Sequence, residues 1–196
     1  MRIIMNLILS SCDFQNDNSR NCIIDNLKIP IEKCRILFIP NERATLKAIK
    51  SELYFNRIQA FGFQRDNIYV FNYYNPKAYC DLDIDVIYVS GGNTFATLDR
   101  LRKRGFDKEI VNYVNKGVTY IGGSAGAHII TKNIKHVLPF DDNYCGMTDF
   151  DGLGLFDGII FCHYTDERKR YYDKALSEGK YKVHKLTDED CIVIYE

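Results

Sequence analysis

Three observations predict an α/β fold, with helices on both faces of a mostly parallel sheet. Short β-branched, apolar runs alternate with longer amphipathic runs along the chain, which is the pattern of repeated strand–helix units. Two of the strand-like runs end in glycine-rich turns that lead directly into helical sequence, at Ser90-Gly91-Gly92-Asn93 and at Gly122-Gly123-Ser124. With 196 residues, 46% of them hydrophobic, the chain can bury a sizeable core within one domain spanning 1–196. Ligands of such sheets bind beyond the carboxyl ends of the strands, so both turns are expected at one site.

In order, residues 3–10 read as the first strand and 19–27 as a short helix. Residues 35–39 form a second strand, closed by Pro40. Asn41 offers an N-cap for a helix running to residue 60, with Leu46, Ile49 and Leu53 on one face and Gly62 past its end. Residues 67–71 and 86–89 are further strands. Asn93 or Thr94 caps a helix through residues 98–104, and another spans 107–116 and stops at Gly117. The run Val118-Thr119-Tyr120-Ile121 is a strand, and helical sequence resumes at Ala125. Residues 134–154, rich in Asp, Asn and Gly, are less regular. A strand at 158–161, a helix at 167–177 and a last strand at 191–195 complete the chain, with no internal repeat or linker.

Lys+Arg and Asp+Glu are balanced at 26 each, which argues against a nucleic acid or an anionic membrane held by bulk charge. The basic run Arg100-Leu101-Arg102-Lys103-Arg104 reads as a solvated helix end. Seven scattered cysteines without a C-x-x-C pair suit reduced thiols in the cytoplasm better than a disulfide framework or a zinc site. The apolar start is interrupted by Asn6 and carries only Arg2 as a basic residue, so it reads as a buried strand rather than a signal peptide. No run approaches the roughly 20 apolar residues of a membrane span.

Ile121-Gly122-Gly123-Ser124-Ala125-Gly126-Ala127-His128 puts a serine in Gly-x-Ser-x-Gly between strand and helix. A nucleophile on so sharp a turn sits in a strained backbone, and larger neighbours would clash with the packed strand and helix. The first N–H groups of the helix can face a developing oxyanion. Ser124 needs a base, and His163, which follows the strand-like run 158–162, stands at the matching strand end. His128, one turn beyond Ser124, lines the pocket in this reading, while His136 and His184 sit in ordinary polar surroundings. An N–H of Gly92 paired with that of Ala125 would complete an oxyanion hole.

Ser90-Gly91-Gly92-Asn93-Thr94-Phe95, then Gly123-Ser124-Ala125-Gly126-Ala127, then Gly152-Leu153-Gly154-Leu155 leading to His163-Tyr164, together resemble the peptidase E family of serine peptidases. The opening Leu9-Ser10-Ser11 and the strand 36–40 fit as well, so the likeness covers most of the chain. The resemblance implies a class I glutamine amidotransferase-like fold, a flavodoxin-like three-layer sandwich, and an aspartyl dipeptidase activity without cofactor or metal. It makes Ser124 the nucleophile, His163 the general base, and Gly92 and Ala125 the oxyanion donors, with Asn93 lining the substrate pocket. Arg168 and Arg170 are the candidates for holding a substrate carboxylate. The chain departs from the family at the third catalytic position, where His136-Val137-Leu138-Pro139 contains no carboxylate. Asp142 is preferred there, with Asp141, Asp166 and Glu167 as alternatives.

The implied partner is a small peptide; a homodimer is compatible with the sequence, and nucleic acid and membrane are not expected. Two other readings remain open: a hydrolase of another amide or ester, and a binding protein that has lost an effective triad.

Overall fold

In the computed structural model, which describes residues 5–195, the apolar runs form eight strands and the amphipathic runs seven α-helices among the described residues. In chain order these are β1 (Asn6–Ser10), α1 (Asp17–Asp25), β2 (Ile36–Ile39), α2 (Leu46–Ile49), α3 (Glu52–Ala60), β3 (Ile68–Val70), β4 (Val86–Val89), α4 (Thr94–Lys103), α5 (Phe106–Asn115), β5 (Thr119–Gly123), α6 (Ala125–Ile129), β6 (Ile159–Phe161), α7 (Lys169–Glu178), β7 (Val183–Lys185) and β8 (Cys191–Tyr195). Six strands make one sheet in the order β3-β2-β4-β5-β1-β8. All its neighbours are parallel except β1 and β8, which run antiparallel. Strands β6 and β7 pair in parallel as a separate two-stranded sheet.

Every residue of β1, β2, β4 and β5 is buried, which a sheet achieves only when both of its faces are covered. The register sets Ser10 opposite Gly123 and Val89 opposite Gly122. The carboxyl ends of β1, β4 and β5 therefore share one rim of the sheet. Beneath it, Tyr88 packs between Phe14 and Phe38, with ring centroids 5.6 and 5.2 Å away. Arg35, just before β2, grips Asp85, just before β4, through Nε to Oδ2 at 3.0 Å and Nη2 to Oδ1 at 3.1 Å. That two-pronged contact ties the amino ends of β2 and β4 together.

Several elements depart from the sequence reading. The helix expected from Asn41 to residue 60 is two helices, because Thr45 caps α2 by accepting from the Ala48 amide and Ser51 caps α3 by accepting from the Leu53 amide. Short hydroxyl side chains offer the backbone such alternative partners. Asn41 instead closes a turn, accepting from the Arg43 amide. Strand β7 was not expected, since its three residues carry no apolar run and Lys185 is exposed. Positions 3 and 4 of the expected first strand lie outside the described residues. The basic run 100–104 is only partly a solvated end. Arg100 lies over the Tyr73 ring at 3.9 Å and donates to the Ala44 carbonyl, and Arg102 donates to the carbonyls of Asp149 and Asp151.

The cysteines require a correction. Cys22 on α1 and Cys191 on β8 form a disulfide with Cα atoms 6.4 Å apart, while Cys12, Cys34, Cys80, Cys145 and Cys162 are free. Spacing could not show this, because the partners stand 169 positions apart and meet only through the antiparallel pairing of β8 with β1. The bond ties the edge strand to the first helix. Breaking it is expected to lower stability by about 2–4 kcal/mol, read as a fall in the urea midpoint on adding reductant. A Cys22→Ser variant is expected to lose that response; an unchanged wild-type midpoint would remove the bond from the stability of the fold.

Candidate active site

Ser124 is the hinge between β5 and α6, with φ 47° and ψ −106°. A non-glycine residue there carries strain on the order of 1–3 kcal/mol. Its amide donates to the Ser10 carbonyl at 2.9 Å, and its carbonyl accepts from the His128 amide at 2.9 Å. The flanking glycines serve close approach. A Cβ on Gly123 would fall 1.0 Å from Asp13 Oδ1, and one on Gly126 would fall 2.2 Å from the Val89 carbonyl oxygen. The unusual backbone belongs to the serine and the missing side chains to its neighbours.

His163 follows β6 and also has a positive φ, 50°. Its amide donates to Ser11 Oγ at 2.9 Å, and that hydroxyl donates to the Leu186 carbonyl at 3.1 Å. So held, the ring sets Nε2 3.0 Å from Ser124 Oγ and Nδ1 2.6 Å from Asp188 Oδ1. A carboxylate can only accept, so Nδ1 carries the proton and Nε2 turns its lone pair toward the serine hydroxyl. The hydrogen bond from His163 holds the Asp188 carboxyl below the usual carboxylate range, although its side chain is 62% exposed. The turn carrying Asp188 is braced. Thr187 donates to Asp190 Oδ2 through its amide and its hydroxyl at 2.7 and 2.8 Å, and Asn16, the N-cap of α1, donates to the Asp188 carbonyl at 2.6 Å.

Asp142 is not the residue at the histidine. Its carbonyl accepts from Asn93 Nδ2 at 2.8 Å, next to Asp141, whose carboxylate accepts from the Thr94 amide at 2.7 Å. The 141–142 segment thus caps α4, and Asp188 occupies His163 Nδ1. Asp166 and Glu167 lie exposed in the turn before α7. Sequence reasoning missed Asp188 because it sought the acid near the serine or the histidine. The only local signal was the acidic turn Asp188-Glu189-Asp190 between two short strands.

Around Ser124, Gly91 is its immediate neighbour: a Cβ there would lie 3.4 Å from the serine Cβ. Gly92 is pressed against Asn41 and Glu42, with a Cβ at 2.7 Å from Asn41 Cβ and 2.5 Å from Glu42 Oε2. Ala125 opens α6. The Asn93 side chain is engaged at both ends, accepting from the Ala96 amide as the N-cap of α4 while donating to Asp142, and so fixes the loop. His128 is buried rather than pocket-lining. Thr94 Oγ1 lies 3.0 Å from its Nδ1, and the Cys162 amide donates to its Nε2; burial holds it neutral, well below the usual histidine range. Arg168 donates to the Cys162 carbonyl at 2.7 Å and stacks over Phe140 at 4.2 Å, so it stands behind His163. Arg170 lies exposed along α7 against Tyr171, away from this group.

Asp13 is the other residue that sequence reasoning passed over. It is 2% exposed with φ 54°; its carboxyl accepts from Tyr88 Oη at 2.8 Å, and the nearby Gly91 amide favours its charged form. It abuts Gly123 as well, so one carboxyl touches both glycine-rich turns. Burial raises its pKa to about 7, against the opposing pull of the Tyr88 hydroxyl and the Arg57 charge. A separate cavity of about 430 Å³, lined by Lys135, His136, Phe161, Tyr171, Lys174 and Tyr181 among others, includes none of Ser124, His163 and Asp188.

The profile of peptidase family S51 matches residues 6–196. The chain belongs to peptidase family S51. Relatives within or near the family include an uncharacterized peptidase of Listeria monocytogenes serovar 1/2a, 36% identical over 115 residues that make up 56% of each chain. A peptidase E of Citrobacter koseri is 41% identical over 99 residues, 50% of this chain and 38% of that protein. The chain spans about half the length, or less, of these relatives. In three dimensions, a candidate peptidase E of Listeria monocytogenes EGD-e superposes with a TM-score of 0.74 over 98% of both chains at 24% identity, which is a likeness of fold. A peptidase from an acI-B1 actinobacterium gives a TM-score of 0.60 at 18% identity, over 98% of this chain and 84% of that one. The family and fold expected from the sequence motifs are those found.

The Asp13 site gives this S51 chain a pH signature. With its folded pKa raised from 3.8 to about 7, the contribution is fully present below pH 3.8 and is lost as pH rises through about 7, because the unfolded chain ionises more readily. Asp13→Asn cannot ionise there. Urea midpoints measured across that window are expected to fall less steeply with pH in the variant than in the wild type, and identical slopes would disprove the raised pKa.

Proposed function

We propose that this chain is a serine-type exopeptidase in which Ser124 is the nucleophile, His163 the general base and Asp188 the orienting acid. The observation that carries the reading is the continuous line from Ser124 Oγ through His163 to Asp188, at 3.0 and 2.6 Å. In this scheme Ser124 Oγ attacks the scissile carbonyl as Nε2 takes its proton. His163 then passes that proton to the departing amine, leaving an acyl-enzyme. A water molecule, deprotonated by His163, releases the acid and restores Ser124. Asp188 stays ionised throughout, keeps the ring in the Nδ1–H tautomer and stabilises the imidazolium. The amides of Gly92 and Ala125 are the proposed oxyanion donors, on the strength of Gly91 lying against Ser124 and Ala125 opening α6. The scheme uses no metal and no cofactor.

A short peptide with an N-terminal aspartate is the proposed substrate class. Arg168 is preferred over Arg170 as its selector, because it stands beside the histidine and its charge acts on Asp188. One donor is committed to Cys162, and a guanidinium has five. The missing carboxylate that favours a binding protein with a lost triad is countered by Asp188 at His163 Nδ1. We propose the cytoplasm as the compartment of this activity. No described helix is long and apolar enough to cross a membrane, and in a reducing compartment the 22–191 pair would be held as thiols.

Hydrolysis of Asp-X dipeptides against matched Glu-X, Asn-X and Leu-X tests this. Ser124→Ala is expected to abolish turnover. Asp188→Asn is expected to reduce kcat by about 10⁴-fold through the wrong tautomer, and Asp142→Asn to leave it near wild type. Arg168→Gln should remove the preference for aspartate while Arg170→Gln keeps it. Turnover that survives Ser124→Ala would overturn the scheme, and a loss in Asp142→Asn equal to that in Asp188→Asn would overturn the choice of acid.

A further inference from the structure

We propose that Cys12, His163 and Asp188 form an inhibitory zinc-binding site. Cys12 Sγ, a ring nitrogen of His163 and a carboxylate oxygen of Asp188 all lie within 4.8 Å of one another. Sulfur, nitrogen and oxygen thus cluster at one place, beside the Ser124 hydroxyl. Thiolate and imidazole together select zinc over hard cations such as magnesium, which need an all-oxygen shell. Zinc bond lengths of about 2.3 Å to sulfur and about 2.0–2.2 Å to nitrogen and oxygen place tetrahedral ligands about 3.3–3.6 Å apart. The 2.6 Å contact between His163 and Asp188 would have to open by less than about 1 Å on that geometry. Asp188, exposed on the turn at 187–190, has room to retreat, and water can fill the fourth position.

Charge favours the ion as well. The thiolate and the carboxylate neutralise its two positive charges, and Glu189 adds negative charge beside Cys12; Arg168 is the opposing cation. The step balances: zinc replaces the Cys12 thiol proton, which leaves to solvent. His163 loses its Nδ1 proton to solvent, binds zinc through the freed lone pair and takes up a proton at Nε2. The result is a histidine that points an N–H at Ser124 Oγ. It can donate to the serine but cannot take its proton, and Asp188 no longer holds the imidazole. The binding stands on geometry alone; its inhibitory effect rests on the serine peptidase reading above.

Calorimetric titration of zinc chloride into Ser124→Ala separates the two. One equivalent of zinc is expected to bind, with affinity reduced on the order of tenfold or more when Cys12→Ser or Asp188→Asn is added, and no heat from magnesium chloride. Two variants guard against one that fails to fold. In the protein with Ser124 intact, zinc should inhibit dipeptide hydrolysis, chelator should restore it, and Cys12→Ser should shift the inhibitory concentration by the same factor. Stoichiometric binding that depends on Cys12 supports the site even if no dipeptide is turned over. No binding, or equal affinity with and without Cys12, overturns it, and binding without inhibition of an active enzyme overturns the inhibitory role.

Discussion

The amide of Ser124 donates to the carbonyl of Ser10 at 2.9 Å, and the candidate site is built outward from the end of β1 where that bond is made. The next residue, Ser11, receives the His163 amide and donates to the Leu186 carbonyl. The Ser10 hydroxyl accepts from the Asp13 amide, and Asp13 in turn accepts from Tyr88 and lies beside the Gly91 amide. Three residues at the end of one strand therefore position the serine, the histidine, the turn before the acid and the second glycine-rich loop. None of them takes part in the proposed chemistry. A parallel strand in the interior of a sheet suits this task, because pairing on both sides and cover on both faces leave its carboxyl end little freedom.

The site is also where the backbone is strained. Among the described residues, the non-glycine positions with positive φ are Asp13, Ser124 and His163, and all three belong to this network. Each carries on the order of 1–3 kcal/mol of strain that its surroundings must offset. Here the offsets are visible as hydrogen bonds that the strained geometry makes available: the Asp13 amide to Ser10, the Ser124 amide to Ser10, and the His163 amide to Ser11. An ordinary backbone at any one of them would point a different side chain into the rim.

Much of this was legible in the sequence, and what was not shares a physical cause. The strands from β1 to β5, the turn at Ser124 and the histidine after β6 all announce themselves through local pattern: an apolar run, a glycine turn, a polar residue at the strand's end. Asp188 does not, because its place depends on how β8 folds back antiparallel beside β1 and on Asn16 bracing the turn from α1. The Cys22–Cys191 pair escaped for the same reason. Asp142 looked suitable because it falls near the position where the resembled family carries its acid, yet the loop it sits on is drawn to the N-terminus of α4. Asp13 was overlooked since an acid inside a run of Cys, Asp and Phe gives no sign that it will be buried against Gly123. The split of the expected helix at Thr45 and Ser51 is a different failure. Both hydroxyls were in plain sight, and their competition with the helix backbone was not weighed.

Two aspartates stand within this network, and their surroundings suit them to opposite tasks. Asp13 is closed off from solvent, and burial lifts its pKa to about 7, so near neutral pH it does not hold a full negative charge. That is tolerable for a group whose work is to hold loops together, since a neutral carboxyl still makes hydrogen bonds. The partner of a catalytic histidine has a stricter requirement: it must be an anion, both to fix the tautomer and to stabilise the imidazolium formed when the serine proton arrives. Asp188 meets it by staying near water, where ionisation costs little, and by accepting the short hydrogen bond from Nδ1 that depresses its pKa. Exposure, which in a structural residue would weaken the contact, is what keeps this one charged. It also leaves the carboxylate free to shift when a cation competes for it, so the same placement that suits Asp188 to the proposed catalysis makes the site open to metal.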